Sequence, residues 1–182
     1  MTTTTQDIRR SPAGTWALDP VHSSIGFEVP YLSGTFKGQF RQAQAKLVVT
    51  DGKGRLDGTA EVASVDVNDE NLSAHLQSPD FFDAERHPEL LFSAQDLDLG
   101  SETVAARGLL TIKGVSKPVE VTGTLTPPLE DAYGRERIGL VLSTTVDRHE
   151  FGVSFNMPLP SGEPAIGDRV TIVAELYFVR EA

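Results

Sequence analysis

The sequence predicts an all-β domain of about eight long strands, mostly antiparallel, carrying one short helical insert. Three observations predict it. Apolar residues alternate with polar ones along most of the chain, the period of a half-buried strand. Short turn signals such as Asp51-Gly52 and Lys113-Gly114 join neighbouring runs, which makes those neighbours antiparallel. The alternation fails over a single stretch, Asp66 to Phe92, where Leu72, His75 and Leu76 fall at helical spacing.

Trp16 and Leu18 open a short strand that breaks at Asp19-Pro20. Val21, Ser23, Ile25, Phe27 and Val29 share one face of the next run, which Pro30 ends. Phe36, Gly38 and Phe40 share a face, and the chain continues through Leu47 and Val49 to the turn at Asp51. Leu56, Gly58, Ala60 and Val62 follow; the phase slips before Val65, which predicts a bulge. In the insert, Asn68 stands where it would cap a helix whose first turn holds Asp69 and Glu70, a placement the helix dipole favours. Ser78-Pro79 ends that helix and is suited to capping a second one; His87-Pro88 closes the insert. Phe81 and Phe82, adjacent in so polar a run, need an apolar destination, either the core of the β body or the mouth of an internal cavity.

Beyond the insert the alternation resumes. Leu90, Phe92 and Ala94 lead to a turn near Gly100, and Val104, Ala106, Gly108, Leu110 and Ile112 form the clearest strand. Val119, Val121, Gly123 and Leu125 follow, ended by Pro127-Pro128. Ile138, Leu140, Leu142, Thr144 and Val146 precede a Pro/Gly-rich loop from Met157 to Gly167, and Val170 to Phe178 is the last strand. A sheet of that size with one apolar face must close on itself or pack as two sheets. A closed eight-stranded barrel is either filled by side chains or holds one small ligand. Gly38, Gly58, Gly108 and Gly123, with Ala60, Ala106 and Ala174, lie in phase with the apolar faces. Such residues leave room inside, or permit the coiling a barrel needs, and the two readings are compatible.

A chain of 182 residues reads as one domain with a sizeable core. Its net charge of −10 suits neither nucleic acid nor an anionic membrane surface. Without cysteine there is no disulfide, thiolate or cysteine–zinc chemistry, and no apolar run reaches the length of a membrane span. Residues 1–12 read as a flexible tail ahead of a domain at 13–182. That tail lacks the apolar core of a signal peptide, and Ser-Pro-Ala-Gly follows Arg9-Arg10 where a twin-arginine signal needs an apolar run. The expected compartment is the cytoplasm.

Groups that carry chemistry are sparse. His22, His75, His87 and His149 show no metal-ligand spacing, and no metal or cofactor is expected. Asp147-Arg148-His149-Glu150 gathers acid, base and cation but reads as a turn bearing a surface ion pair, because consecutive strand residues face opposite ways. Ser23 and Ser24 beside His22 lack a nucleophile elbow. Neither Gly34–Gly38 nor Lys113–Lys117 has phosphate-loop spacing.

The run Trp16-Ala17-Leu18-Asp19-Pro20-Val21-His22-Ser23 resembles the opening motif of the YceI-like family, bacterial polyisoprenoid-binding proteins that resemble lipocalins. The resemblance continues at His75-Leu76, Ser78-Pro79-Asp80-Phe81-Phe82-Asp83, Pro88, Leu91-Phe92-Ser93 and Gly108-Leu109-Leu110-Thr111-Ile112-Lys113-Gly114-Val115. It ends with Asp147-Arg148-His149-Glu150-Phe151-Gly152-Val153 and Gly167-Asp168-Arg169-Val170. It implies an extended eight-stranded antiparallel β-barrel, lipocalin-like, with its helical insert at about residues 68–87. It also implies a long isoprenoid lipid held without catalysis, and a homodimer. Many relatives are exported, a point on which this chain departs.

Pattern and resemblance together make Ile25, Phe27, Phe36, Phe40, Phe81 and Phe82 candidate cavity-lining residues, with Phe92, Leu110, Val121, Leu140, Leu142, Phe155 and Leu176. The first expectation is a carrier or store of an isoprenoid or similar amphiphilic lipid. A strand of about ten residues spans roughly 33 Å, so the barrel axis has the length of several isoprene units. A filled barrel serving as a stress-related interaction module is a second expectation. An enzyme acting on a lipid head group, with His22, His149 and nearby carboxylates as acid and base, is a third.

Overall fold

The computed structural model describes residues 11–182, so the expected tail at 1–12 falls almost wholly outside the described residues. The strands are β1 (Gly14–Leu18), β2 (Ser24–Tyr31), β3 (Gly34–Phe40), β4 (Ala43–Thr50), β5 (Lys53–Glu61) and β6 (Val65–Asp66), then helix α1 (Glu70–Leu76). After the helix come β7 (Glu89–Asp98), β8 (Thr103–Ile112), β9 (Val115–Glu130), β10 (Glu136–Asp147) and β11 (Arg169–Arg180).

Every strand pair among the described residues is antiparallel, and β1, β4, β5, β7, β8, β9, β10 and β11 form a ring that closes through β1 and β11. The predicted eight-stranded antiparallel barrel is the observed fold. Several staves are built from two segments. β11 pairs with β1 through Phe178–Arg180 and with β2 through Thr171–Glu175. Between those segments the chain bends at Asp19-Pro20, and Ser23 fastens the bend to β11: its hydroxyl accepts from the Tyr177 N–H at 2.9 Å. In the same way β4 pairs with β1 while β3 pairs with β2, and β6 continues the line of β5 to meet β3 at Phe40 and Gln39. The turns fit their residues: Asp51 and Gly52, like Lys113 and Gly114, have positive φ at both central positions, the geometry that suits the twist of a tight hairpin.

Four local expectations are corrected. The phase slip at Val62 is a turn of 3-10 helix, Val62–Ser64, rather than a bulge. The cap of α1 is Asp69, whose carboxylate accepts from the Leu72 N–H at 2.8 Å, while Asn68 takes positive φ one residue earlier. No second helix follows Ser78-Pro79. There the Ser78 carbonyl accepts from the N–H groups of Phe81 and Asp83 and closes a run of turns. Pro127-Pro128 do not end β9, because the ladder to β8 has already finished at Thr124 and the β10 register shifts past them between Arg137 and Gly139.

The interior is filled at one end only. Trp16, Leu47, Leu97, Val104, Leu140 and Phe178 are fully buried and plug the end that carries the turns at Gly52, Gly100 and Gly134. The Trp16 indole N–H donates to the Pro12 carbonyl at 2.8 Å, and the Arg180 guanidinium lies 4.3 Å over its ring. Toward the other end the inward residues Ile25, Ala45, Gly58, Phe92, Ile172 and Ala174 are only partly buried. They face a space inside the barrel.

Candidate functional site

That space is a cavity of about 450 Å³, within the roughly 300–1,000 Å³ of small-molecule sites. Its floor is the row where the plug begins, including Leu56, Leu110, Val121, Leu142 and Leu176. Its walls are the partly buried positions above, and it opens between the β2–β3 hairpin, the insert and the loop at 152–168. The strand period puts these residues there: each is in phase with the face that closes inward.

Aromatic rings form one wall. Phe27 lies 5.8 Å from Phe40 and 6.4 Å from Phe36, ring centre to ring centre. The insert supplies the facing part. Phe82 meets Phe40 edge-on at 5.5 Å and Phe27 at 6.2 Å. Phe81 lies 5.0 Å from the His75 ring and 5.2 Å from Phe155 on the opposing loop. Both destinations considered for the phenylalanine pair are therefore one place, since each ring packs on the core and lines the cavity. The Lys113 ammonium, on the β8–β9 turn, donates to the Pro79 carbonyl at 2.6 Å and the Gly152 carbonyl at 3.2 Å, tying insert to loop.

Arg148 organises the loop. It sits in the 3-10 turn Arg148–Phe151 after β10, where Asp147 caps the turn through the His149 N–H. The residue is 5% exposed and lines the cavity. Its Nε donates to the Gly167 carbonyl and its Nη1 to those of Val153 and Phe155, each at 2.8 Å. Among the described residues Nη2 has only the Ile166 carbonyl, at 3.5 Å. Burial pushes the Arg148 pKa down, and the carboxylates of Asp168 and Asp147 oppose that from nearby. The expectation of a surface ion pair in this turn holds for His149, whose Nε2 lies 2.8 Å from Asp168, and fails for Arg148.

Of the candidate lining residues, Ile25, Phe27, Phe36, Phe40, Phe81, Phe82, Phe92, Leu110, Val121, Leu142, Phe155 and Leu176 border this cavity. Leu140 does not. It lies one inward step below Leu142, between Leu125 and Leu176, inside the packed plug. Sequence reasoning did not single out Arg148 or His75 as lining. The apolar alternation Phe151, Val153, Phe155 just after Arg148 is the signal that this turn re-enters the interior.

Three of the four in-phase glycines leave no room. A Cβ at Gly108 would stand 2.5 Å from the Phe92 ring, one at Gly38 would overlap Phe27, and one at Gly123 would run into the Val141 carbonyl. They are sites of close approach, and only Gly58 would meet ordinary contacts, 3.5 Å from the Gln44 carbonyl. His22 and His149 do not converge. His22 sits by the Tyr177 end of β11 and His149 by its Asp168–Arg169 end, eight residues or roughly 26 Å apart. Among the described residues no group of three or more His, Cys, Asp or Glu is placed to hold a metal.

The YceI-like domain model matches residues 16–178. The chain is 30% identical over 172 residues to a UPF0312 protein of Staphylococcus epidermidis, covering 88% of this chain and 95% of that one. It is 29% identical over 150 residues to a UPF0312 protein of Photorhabdus laumondii, covering 78% and 76%. BcnA of Burkholderia cenocepacia superposes with a TM-score of 0.75 at 22% identity, covering 88% of this chain and 98% of that chain. A Campylobacter jejuni YceI protein gives 0.68 at 25% identity, covering 82% and 87%. A polyisoprenoid binding domain from Saccharophagus degradans gives 0.68 at 13% identity, covering 91% and 98%, a likeness of fold.

Proposed function

Since the chain belongs to the YceI-like domain family, we propose that it binds the apolar chain of an isoprenoid or similar amphiphilic lipid, for carriage or storage and without catalysis. The observation that carries this reading is the half-hollow barrel: a cavity of about 450 Å³ with an almost wholly apolar lining, open at one end. Each methylene moved from water into such a lining contributes about 0.8 kcal/mol, so a dozen buried carbons supply roughly 10 kcal/mol before the cost of ordering the chain. The polyisoprenoid binding domain from Saccharophagus degradans shares the fold, which supports the same class of ligand. The lipid's reach is shorter than the barrel, because the Trp16 plug closes the lower end; the tail enters from the open end and stops above the plug. The non-catalytic reading draws support from the separation of His22 from His149.

Organic extraction of protein purified under native conditions, followed by mass spectrometry, tests the proposal. One amphiphile per chain, released on unfolding, is the expected result. A protein that yields no lipid and takes up no geranylgeraniol after extraction is an interaction module instead. Sedimentation of the same preparation reads the homodimer that the family resemblance implies.

A further inference from the structure

Among the described residues the cavity lining holds one permanently charged side chain, Arg148. The residue is 5% exposed, and its guanidinium touches no carboxylate in any described ion pair. Three of its five N–H donors are engaged by the carbonyls of Gly167, Val153 and Phe155 at 2.8 Å. The two on Nη2 share a single carbonyl, that of Ile166, at 3.5 Å, the outer limit of a hydrogen bond. The Ile166 carbonyl already has a better donor in the Asn156 amide, at 2.8 Å. Holding this loop takes donors, and Asn156 performs the neighbouring part of that task with a neutral amide. A charge is more than the task requires, and burying one without a counter-charge is costly. The nearest acids do not remove that cost by contact. Asp147 accepts from the His149 N–H and Asp168 lies against the His149 ring, so both carboxylates are turned to His149. His75, which can also carry a positive charge at the lining, has its carboxylate already: Asp80, 2.9 Å from Nε2.

We infer that the bound lipid ends in an anionic oxygen group, a carboxylate or a phosphate monoester, which Nη2 of Arg148 holds under the loop at 153–167. This rests on the lipid-binding reading and adds the chemistry of the polar end. The anion supplies what the site lacks, a short acceptor for Nη2 and a charge opposite to the guanidinium. The apolar walls below take the chain, and the aromatic contacts of Phe81 with Phe155 flank the point where the head group leaves the lining.

The test compares ligands with one tail and different ends: geranylgeranoic acid, its methyl ester and geranylgeranyl monophosphate, titrated by calorimetry into delipidated protein. At neutral pH the acid or the phosphate should bind about tenfold or more tightly than the ester, the scale of a charged hydrogen bond. Whichever of the two anions binds more tightly identifies the head group. In Arg148→Met that preference should shrink to within about twofold. Arg148→Lys keeps the charge and loses the fork; it should retain a reduced preference, and it serves if the methionine variant does not fold. Equal binding of ester and anions by the unaltered protein overturns the inference and leaves the lipid-binding reading standing. So does a full preference kept by Arg148→Met. Failure of all three ligands to bind overturns both.

Discussion

Gly58 on β5 and Gly123 on β9 both fall in phase with the inward face of their strands and have opposite tolerances. At Gly123 the backbone of β10 fills the place of a side chain, so Gly123→Ala should lose at least the ~1–3 kcal/mol of an overpacked core. At Gly58 the space is real: Gly58→Leu should change stability by less than about 1 kcal/mol in thermal melts while lowering the lipid extracted per chain. Equal melting losses at the two sites would show that the cavity is filled in solution. Asp19 makes a second prediction, at the closed end. Partial burial pushes its carboxyl up, but hydrogen bonds from Arg137, His22 and the Val21 N–H outweigh this and bring the pKa from 3.8 to about 2. A carboxyl lowered on folding adds stability that is present above its unfolded value and lost as the pH falls through the folded one. Stability should therefore drop as the pH falls from 3.8 to about 2, and Asp19→Asn should flatten that part of an acid-unfolding curve.

The insert is the element whose sequence departs most from the barrel, and it is held by few elements: rings against β2 and β3, Lys113 from the β8–β9 turn, and Phe155 from the loop. Phe82 is partly buried and borders the cavity, so Phe82→Ala should cost less than the ~3–5 kcal/mol of a fully buried phenylalanine and should also reduce lipid retention. Retention equal to that of the unaltered protein would make the insert peripheral to binding. Lys113→Met removes the two hydrogen bonds through which the β8–β9 turn ties insert to loop. Faster amide exchange confined to α1, the turns after it and residues 152–156 is the expected outcome, since such locally held elements open at a lower cost than the staves. Unchanged exchange there would show that the ring contacts alone hold the mouth.

Over the whole molecule, the division into plug and cavity separates stability from binding. Trp16→Ala empties the plug and should cost about 3–5 kcal/mol, read by chemical denaturation, while the chains that remain folded keep their lipid. Loss of lipid in proportion to the lost stability would mean that the two halves are not independent. No described helix is long and apolar enough to cross a membrane. Period two and a closed sheet combine to turn the apolar face of the staves inward.

Much of this was legible in the residues. Alternation and tight turns determined eight antiparallel staves, because a period of two turns one face inward whatever the details of packing. The break in that period located the insert, and the in-phase aromatics located most of the cavity wall. Other features depend on residues distant in sequence. Whether an inward glycine marks space or contact is decided by the strand beside it: Phe92 fills the place at Gly108, and the β10 backbone fills it at Gly123. Leu140 and Leu142 are alike in sequence, and only the height at which the plug stops puts one in the core and the other on the cavity floor. Taken by itself Arg148 reads as surface, because a charge in a turn is ordinarily solvated, and only the apolar alternation after it points inward. The carbonyls that draw it inside belong to residues up to nineteen positions away, and the closure of the loop over the barrel mouth is what brings them to it.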